Sequence, residues 1–335
     1  MDLTNIQIIK TLSKKFNISP SPLSGQNFLI DKNILNQIVD RSDIKKNENI
    51  LEIGPGFGVL TQELLKKSNN ILSVERDNHL AKHLKAQFKD NDSIEILQKD
   101  ILKLENSEIS SYFIKNSTTI SDTKNYKNRI EYKGQDSAEF ISHSKILNAR
   151  IHLSDKLGMS ELSDSNYRII ANIPYQITGK ILRKFVSDKA SKPKKMHILL
   201  QKEVAQRVCA SRGKMNLLGI SVQLYSKPDI LFNVSKSSFW PQPKVDSSFL
   251  QINNISEEPI YDISNEKKFW QVVRIGFSSP RKQLHNTLSA GLGIESQDVS
   301  NILREIGLNQ KIRAQELGID DWIKLAIRIN PNSSE

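Results

Sequence analysis

The chain has one cysteine, Cys209, in 335 residues. An internal disulfide and a cysteine-based metal cluster are therefore both excluded, and Cys209 is read as a small buried hydrophobe. No apolar run is long enough to span a bilayer. Asp2 and Asn5 interrupt the N-terminus before any apolar core, so no signal peptide is expected and the cytoplasm is the expected compartment. Of six histidines only His79 and His83 stand four apart, with no acid between them to complete a zinc-protease pattern. Each is read as solvated or core, and no metal site is expected. The phosphate loop GxxxxGK[ST] and the nucleophile elbow GxSxG are missing as well, which removes P-loop nucleotide hydrolysis and the α/β-hydrolase mechanism. Acidic residues are in deficit: the net charge is +11, an excess that favours a polyanionic partner through counterion release.

What is present is enough apolar residue, 38%, for a real core. From Asn49 onward short apolar runs alternate with helical stretches, the pattern of an α/β fold with a parallel sheet. Strands are expected at 49–54, 70–77, 93–100 and 166–175, a fifth beginning at 195, and another after the Pro-rich turn of "FWPQPKVDSSFLQI" (239–252). Helices are expected at 3–16, packed on the domain through Leu3, Ile6, Ile9, Leu12 and Phe16, and at 60–67 and 79–89. Between about 106 and 165 the rhythm is lost in a Ser-, Asn-, Lys- and Asp-rich stretch, read as a partly mobile insertion bulging from the edge of the fold, with one helix at 138–149. After about Glu257 only helices are expected, at 265–277, 296–308 and 319–329. The expected division is a Rossmann-like catalytic domain over 1–255 and a small helical domain over 256–335.

The chemistry is concentrated at the ends of the expected strands. "LEIGPGFGVLT" (51–61) follows a strand and opens a helix, and Gly54, Gly56 and Gly58 let a ligand approach the backbone. The spacing is GxGxG, not the GxGxxG of dinucleotide sites. Glu75 ends the next strand, about 20 residues on, where a carboxylate accepts from ribose hydroxyls. Asp100 ends the third, where it can accept from the amine of an adenine, and Asn172 of "ANIPYQITG" ends the fourth. Four such positions fall on one edge of an open sheet, where α/β folds bind ligands. An adenosine-containing cofactor with no phosphate loop fits best, and S-adenosylmethionine is the first choice.

Nine stretches in order carry a resemblance to a known family: "SGQNFLID" (24–31), "EIGPGFGVLT", "VERD" (74–77), "KDIL" (99–102), "NIPYQIT" (172–178), "LLQKEVAQRV" (199–208), "FWPQPKVDSS" (239–248), "PRKQLHNTL" (280–288) and "RAQELGIDDW" (313–322). Together they resemble the bacterial small-subunit ribosomal RNA adenine dimethyltransferases of the kasugamycin-sensitivity type, over nearly the whole chain except about 106–165. The resemblance implies a class I S-adenosylmethionine-dependent methyltransferase that dimethylates two adjacent adenines near the 3′ end of 16S rRNA. It also implies a role in small-subunit biogenesis for a monomer without membrane association. It implies that Asn27, Leu29, Gly54, Glu75, Asp100 and Asn172 hold the cofactor. It places Asn172, Ile173, Pro174 and Tyr175 at the reaction, Phe239 as an aromatic wall for the target base, and Arg281 and Lys282 at RNA phosphates.

Asn172 and the Ile173 carbonyl are read as acceptors for the two N–H bonds of the adenine amine, favouring a pyramidal nitrogen with a localised lone pair. Pro174 sets the turn and Tyr175 offers a stacking face. Two departures from the family stand out: the insertion, and "SPSPLSGQNF", which holds Ser and Pro where the family often has basic residues. Rival readings are a macrolide-resistance methyltransferase of the large-subunit RNA, which shares the NIPY and QNF motifs, an assembly factor whose binding outweighs its chemistry, and a DNA adenine methyltransferase.

Overall fold

The computed structural model describes residues 1–18, 20, 25–118, 167–188 and 192–329, with side chains as far as Phe113 in the helix Asn106–Thr118. The strands are β1 Phe28–Leu29, β2 Asn49–Ile53, β3 Asn70–Glu75, β4 Ile94–Gln98, β5 Tyr167–Asn172, β6 Lys195–Gln201, β7 Lys227–Val234, β8 Phe239–Trp240 and β9 Ser247–Asn253. Seven form one sheet in the order β4-β3-β2-β5-β6-β9-β7. The first five run parallel; β9 runs antiparallel to β6, and β7 antiparallel to β9. Strand order reverses between β2 and β5, which makes the C-terminal ends of those two strands the switch point where ligands bind in open α/β sheets.

The parallel strands read as near-continuous apolar runs because helices cover both faces. Alternation of side chains divides them between two cores. Ile50, Ile71, Ile170 and Leu199 pack with the helix Ile6–Lys15, through Ile9 and Leu12, and with the helix Lys32–Arg41. Leu51, Leu72, Ile169 and Ile198 belong to the other core, which continues into Phe269, Leu288, Leu303 and Trp322 of the C-terminal helices Glu266–Gly276, Leu284–Leu292, Ser296–Glu305 and Ile319–Arg328.

Several elements differ from the sequence expectation. The stretch read as insertion begins as part of the fold: Ile109 and Phe113 are core residues, and Phe113 stacks on Tyr167 at 5.6 Å between centroids. Its Ser- and Asn-rich exposed side masked the buried stripe. The remainder of the expected insertion, including the helix expected at 138–149, lies outside the described residues. Strand β7 is outside the expected set; it contains Pro228 and forms the sheet's edge, where a missing N–H is tolerated. The run from 195 ends as a strand at Gln201 and turns into the helix Lys202–Val208. The helices Lys32–Arg41, Leu217–Gln223 and Leu284–Leu292 were also not foreseen. His79 is exposed and His83 is core, against Phe16 and Phe57. Cys209 is half-buried, and burial pushes its thiol up to about 11.

No described helix is long and apolar enough to cross a membrane. Within the helical tail the helices Glu266–Gly276 and Ile319–Arg328 pack closely: a Cβ placed on Gly276 would lie 2.4 Å from the Trp322 ring. Gly276→Ala is therefore expected to destabilise the protein by about 1–3 kcal/mol through overpacking, seen as a lower midpoint in thermal or urea unfolding.

Candidate active site

A cavity of about 350 Å³ opens at the switch point. Gly54 and Gly56 line its floor between β2 and the helix Val59–Leu64, which Gly58 precedes as N-cap, and all three glycines lie at positive φ (67°, 61° and 84°). The left-handed backbone is open to glycine at little cost, and at Gly56 close packing adds a second constraint. A Cβ on Gly56 would meet the Phe28 ring at 2.8 Å, and one on Gly54 would sit 3.7 Å from Pro174.

Glu75 closes β3 with its carboxylate turned into this floor. Oε2 accepts from the Gly56 amide (3.2 Å) and Oε1 from the Asp77 amide (2.8 Å), while Asp77 caps the helix Asn78–Gln87. Burial pushes the Glu75 carboxyl up to about 7, against the opposing pull of those two amides. Asp100, two residues beyond β4, accepts from the Leu102 amide at 3.0 Å and faces the same cavity.

The roof is the N-terminal segment 25–29. It is held in place by a short antiparallel ladder, with Phe28 opposite Trp240 and Leu29 opposite Phe239. The Ile30 amide donates to the Ser238 carbonyl (2.9 Å), and the Ser238 hydroxyl donates to Asp31 Oδ2 (2.9 Å). The other Asp31 oxygen caps the helix Lys32–Arg41. Roof and sheet meet where the Asn172 side-chain amide donates to the Asn27 carbonyl, 3.0 Å away. That bond fixes which way the Asn172 amide points, so its Oδ1, which accepts nothing from the described residues, is the free acceptor at the cavity. Gly25 lies so close to Gln176 that a Cβ there would overlap its side chain.

After Asn172 the chain leaves the sheet. The Ile173 amide still donates to the Leu199 carbonyl (3.2 Å), Pro174 turns the backbone, and Tyr175–Ile177 form a single tight turn. The Tyr175 hydroxyl pairs with the Ser247 hydroxyl at 2.7 Å, and burial raises the Tyr175 hydroxyl above its ordinary value.

The structure thus brings Asn27, Leu29, Gly54, Glu75, Asp100, Asn172, Ile173, Pro174 and Tyr175 to one cavity. Three expected site residues are not among its lining. Phe239 is a correction: at 2% exposure it is buried in the core, paired to Leu29, so its ring anchors the roof and is not available as a wall for a base. Arg281 and Lys282 are exposed in the turn between the helices Glu266–Gly276 and Leu284–Leu292. Glu52 was missed. Buried at 1% and raised to about 7 by that burial, it accepts from Thr61 and Ser73 (both 2.7 Å) through Oε2, while Oε1 has no partner at the cavity's base. The only sequence signal was an acid inside an apolar strand. Among the described residues no cluster of His, Cys, Asp and Glu is suited to a metal ion.

Comparison with known proteins gives the family and agrees with the fold. A family model described as "Ribosomal RNA adenine dimethylase" matches residues 21–331. The Ribosomal RNA small subunit methyltransferase A of Dehalococcoides mccartyi (strain CBDB1) is 32% identical over 308 residues, covering 92% of this chain and 88% of that protein. Its counterpart in Caldanaerobacter subterraneus subsp. tengcongensis is 31% identical over 304 residues, covering 90% and 94%. In fold, the chain is similar to the 23S rRNA methyltransferase ErmE (TM-score 0.60, 19% identity, 90% of this chain and 99% of that one). It is also similar to a dimethyladenosine transferase from Plasmodium falciparum (TM-score 0.58, 23% identity, 89% and 95%).

The raised Glu75 carboxyl has a consequence for binding. A ligand diol donating to this carboxylate would favour its deprotonated form. Affinity for S-adenosylmethionine is expected to rise with pH up to and through about 7, the value burial imposes on Glu75. Calorimetric titration between pH 5.5 and 8.5 tests this: Glu75→Gln should weaken binding and reduce the pH dependence. The ligand-free fold runs the other way. A carboxyl raised in the folded state contributes stability that is lost as pH rises through about 7.

Proposed function

The chain belongs to the ribosomal RNA adenine dimethylase family, and we propose that it dimethylates N6 of two adjacent adenines near the 3′ end of small-subunit RNA, on immature small subunits. The observation that carries the reading is the Asn172 amide, oriented by Asn27 so that its oxygen faces the cavity beside Tyr175. The enzyme is S-adenosylmethionine-dependent, and the cavity fits that group. Positive-φ glycines leave the floor open to it, Glu75 and Asp100 offer acceptors for a diol and an amine, and the unpartnered Glu52 oxygen at the base suits a donor or a positive charge. When bound, S-adenosylmethionine supplies a methyl group on a sulfonium already activated for displacement.

The protein's own contribution is orientation and electrostatics. Asn27 and Leu29 cover the cofactor, Gly54 lies against its methionine portion, and Glu75 and Asp100 fix its ribose and adenine. The target adenine has to leave its stack, which an exposed RNA loop makes inexpensive. Its ring rests on Tyr175. Its amine donates to Asn172 Oδ1 and to the Ile173 carbonyl, contacts that strengthen as positive charge develops on nitrogen. The surplus proton leaves to solvent. The RNA backbone is met by the basic surface, including Arg281 and Lys282 in the helical part over 256–335, which we read as the RNA-binding domain. We read the enzyme as a monomer that works in the cytoplasm, where a ribosomal substrate is assembled.

The reading is tested by methyl transfer from labelled S-adenosylmethionine to immature small subunits, naked small-subunit RNA and large-subunit RNA in parallel, with modified adenines mapped by mass spectrometry. Neighbouring dimethyladenines on the small subunit alone are expected. Label on large-subunit RNA would transfer the assignment to the resistance-type activity, and tight subunit binding without label would leave an assembly factor. In the same assay Asn172→Ala should lower turnover by roughly 100-fold or more, with cofactor affinity changed only a few-fold.

A further inference from the structure

We propose that Ser247 is a positioning residue for methyl transfer: its buried hydroxyl holds the Tyr175 hydroxyl and so fixes the tilt of the ring on which the target adenine rests. The inference depends on the reading of Tyr175 as the stacking surface.

The two partners differ in how firmly they are held. Ser247 is fully buried and is the first residue of β9, with Gln201 of β6 opposite on one side and Val234 of β7 on the other. Just before it, the Asp246 carbonyl accepts from the Lys202 amide and the Asp246 carboxylate from the Lys236 amide, both at 3.0 Å. Tyr175 begins a three-residue turn that lacks a side-chain cap, is only half-buried, and has no described aromatic ring packed against it. A tyrosine in that setting retains freedom about both side-chain torsions unless its far end is tied. The 2.7 Å bond to Ser247 is that tie. Ser247 is set apart from its neighbour by the alternation of a strand: the Ser248 hydroxyl donates to Asn233 within the sheet (2.7 Å), while the Ser247 hydroxyl turns to Tyr175. Burial also keeps the Tyr175 hydroxyl protonated through the assay range, so the bond persists.

The tie bears unequally on the two methyl additions. An adenine amine has two N–H bonds to place on Asn172 and Ile173. N6-methyladenine has one, so stacking on Tyr175 carries a larger share of its orientation. A loosened ring should slow the second addition more than the first.

The experiment compares wild type, Ser247→Ala, Tyr175→Phe and the double variant on immature small subunits, following kcat/KM, the ratio of mono- to dimethyladenine, and S-adenosylmethionine affinity by calorimetry. Each single variant is expected to lower kcat/KM by roughly fivefold, the effect of one neutral hydrogen bond, and to raise the mono- to dimethyl ratio. Cofactor affinity should stay within about twofold and so report intact folding. The double variant should be no worse than either single, because both remove the same bond. Multiplicative losses, or a Tyr175→Phe enzyme equal to wild type, would overturn the proposal. Tyr175→Phe keeps the ring and decides the matter even if Ser247→Ala does not fold. A wild-type enzyme that leaves small-subunit adenines unmethylated would instead overturn the reading on which the proposal rests.

Discussion

The bond from the Asn172 amide to the Asn27 carbonyl is the constraint on which the site depends. It joins two segments 145 residues apart and does so at the sheet's switch point. On one side lies a central parallel strand; on the other lies a roof held by only two residue pairs of ladder. Each part is weak alone, since a two-residue strand has little independent stability. The ladder gains its rigidity from what it packs on: Phe28 meets Phe57 edge-on at 4.6 Å and lies over Gly56. Floor, roof and amide therefore specify one another. A side chain on Gly56 would displace Phe28, shift the Asn27 carbonyl and release the amide of Asn172.

Electrostatics are arranged in opposition across the molecule. The surface carries the excess of positive charge expressed in the net +11, while the interior of the cavity holds two carboxyls, Glu52 and Glu75, each raised to about 7 by burial. A polyanion is drawn to the outside but meets a carboxyl-lined interior, where phosphate is disfavoured and hydroxyl, amine or sulfonium groups are favoured. The same two carboxyls make the ligand-free site costly to keep ionised, so stability is given up at a place where a bound donor restores it.

The sheet was legible because its strands are unbroken apolar runs, and four of the cavity positions were legible because they end those runs. Residues 54, 75, 100 and 172 are local features: each stands at or just past the end of a strand and needs no knowledge of distant partners. What could not be read is what depends on distance. Phe239 lies 210 residues from Leu29, and nothing near it in the chain indicates that it faces the core. Tyr175 and Ser247 form a pair 72 residues apart, and neither residue's neighbours announce the other. Edge strand β7 contains Pro228, and whether a proline is tolerated depends on the strand's place in the sheet, which is not a local property. The buried stripe of Ile109 and Phe113 was hidden by polar neighbours that decorate only the exposed side of the helix.

The ionisable groups at the cavity also bear on which chemistry is possible. A general base for the adenine amine would have to be ionised, accessible and within reach of nitrogen. Glu75 has both oxygens on backbone amides, and Glu52 has one oxygen on two hydroxyls. Tyr175 is held protonated by burial, and its hydroxyl is tied to Ser247, away from the ring face offered to a base. The groups nearest the proposed target, Asn172 Oδ1 and the Ile173 carbonyl, are neutral acceptors. That set cannot remove a proton, but it suits a reaction in which none need be removed before attack: neutral acceptors draw electron density along the N–H bonds and concentrate the lone pair toward the methyl donor. With an activated leaving group, orientation is the scarcer resource, and this is where the structure concentrates its constraints: on the amide of Asn172 through the roof and on the ring of Tyr175 through Ser247.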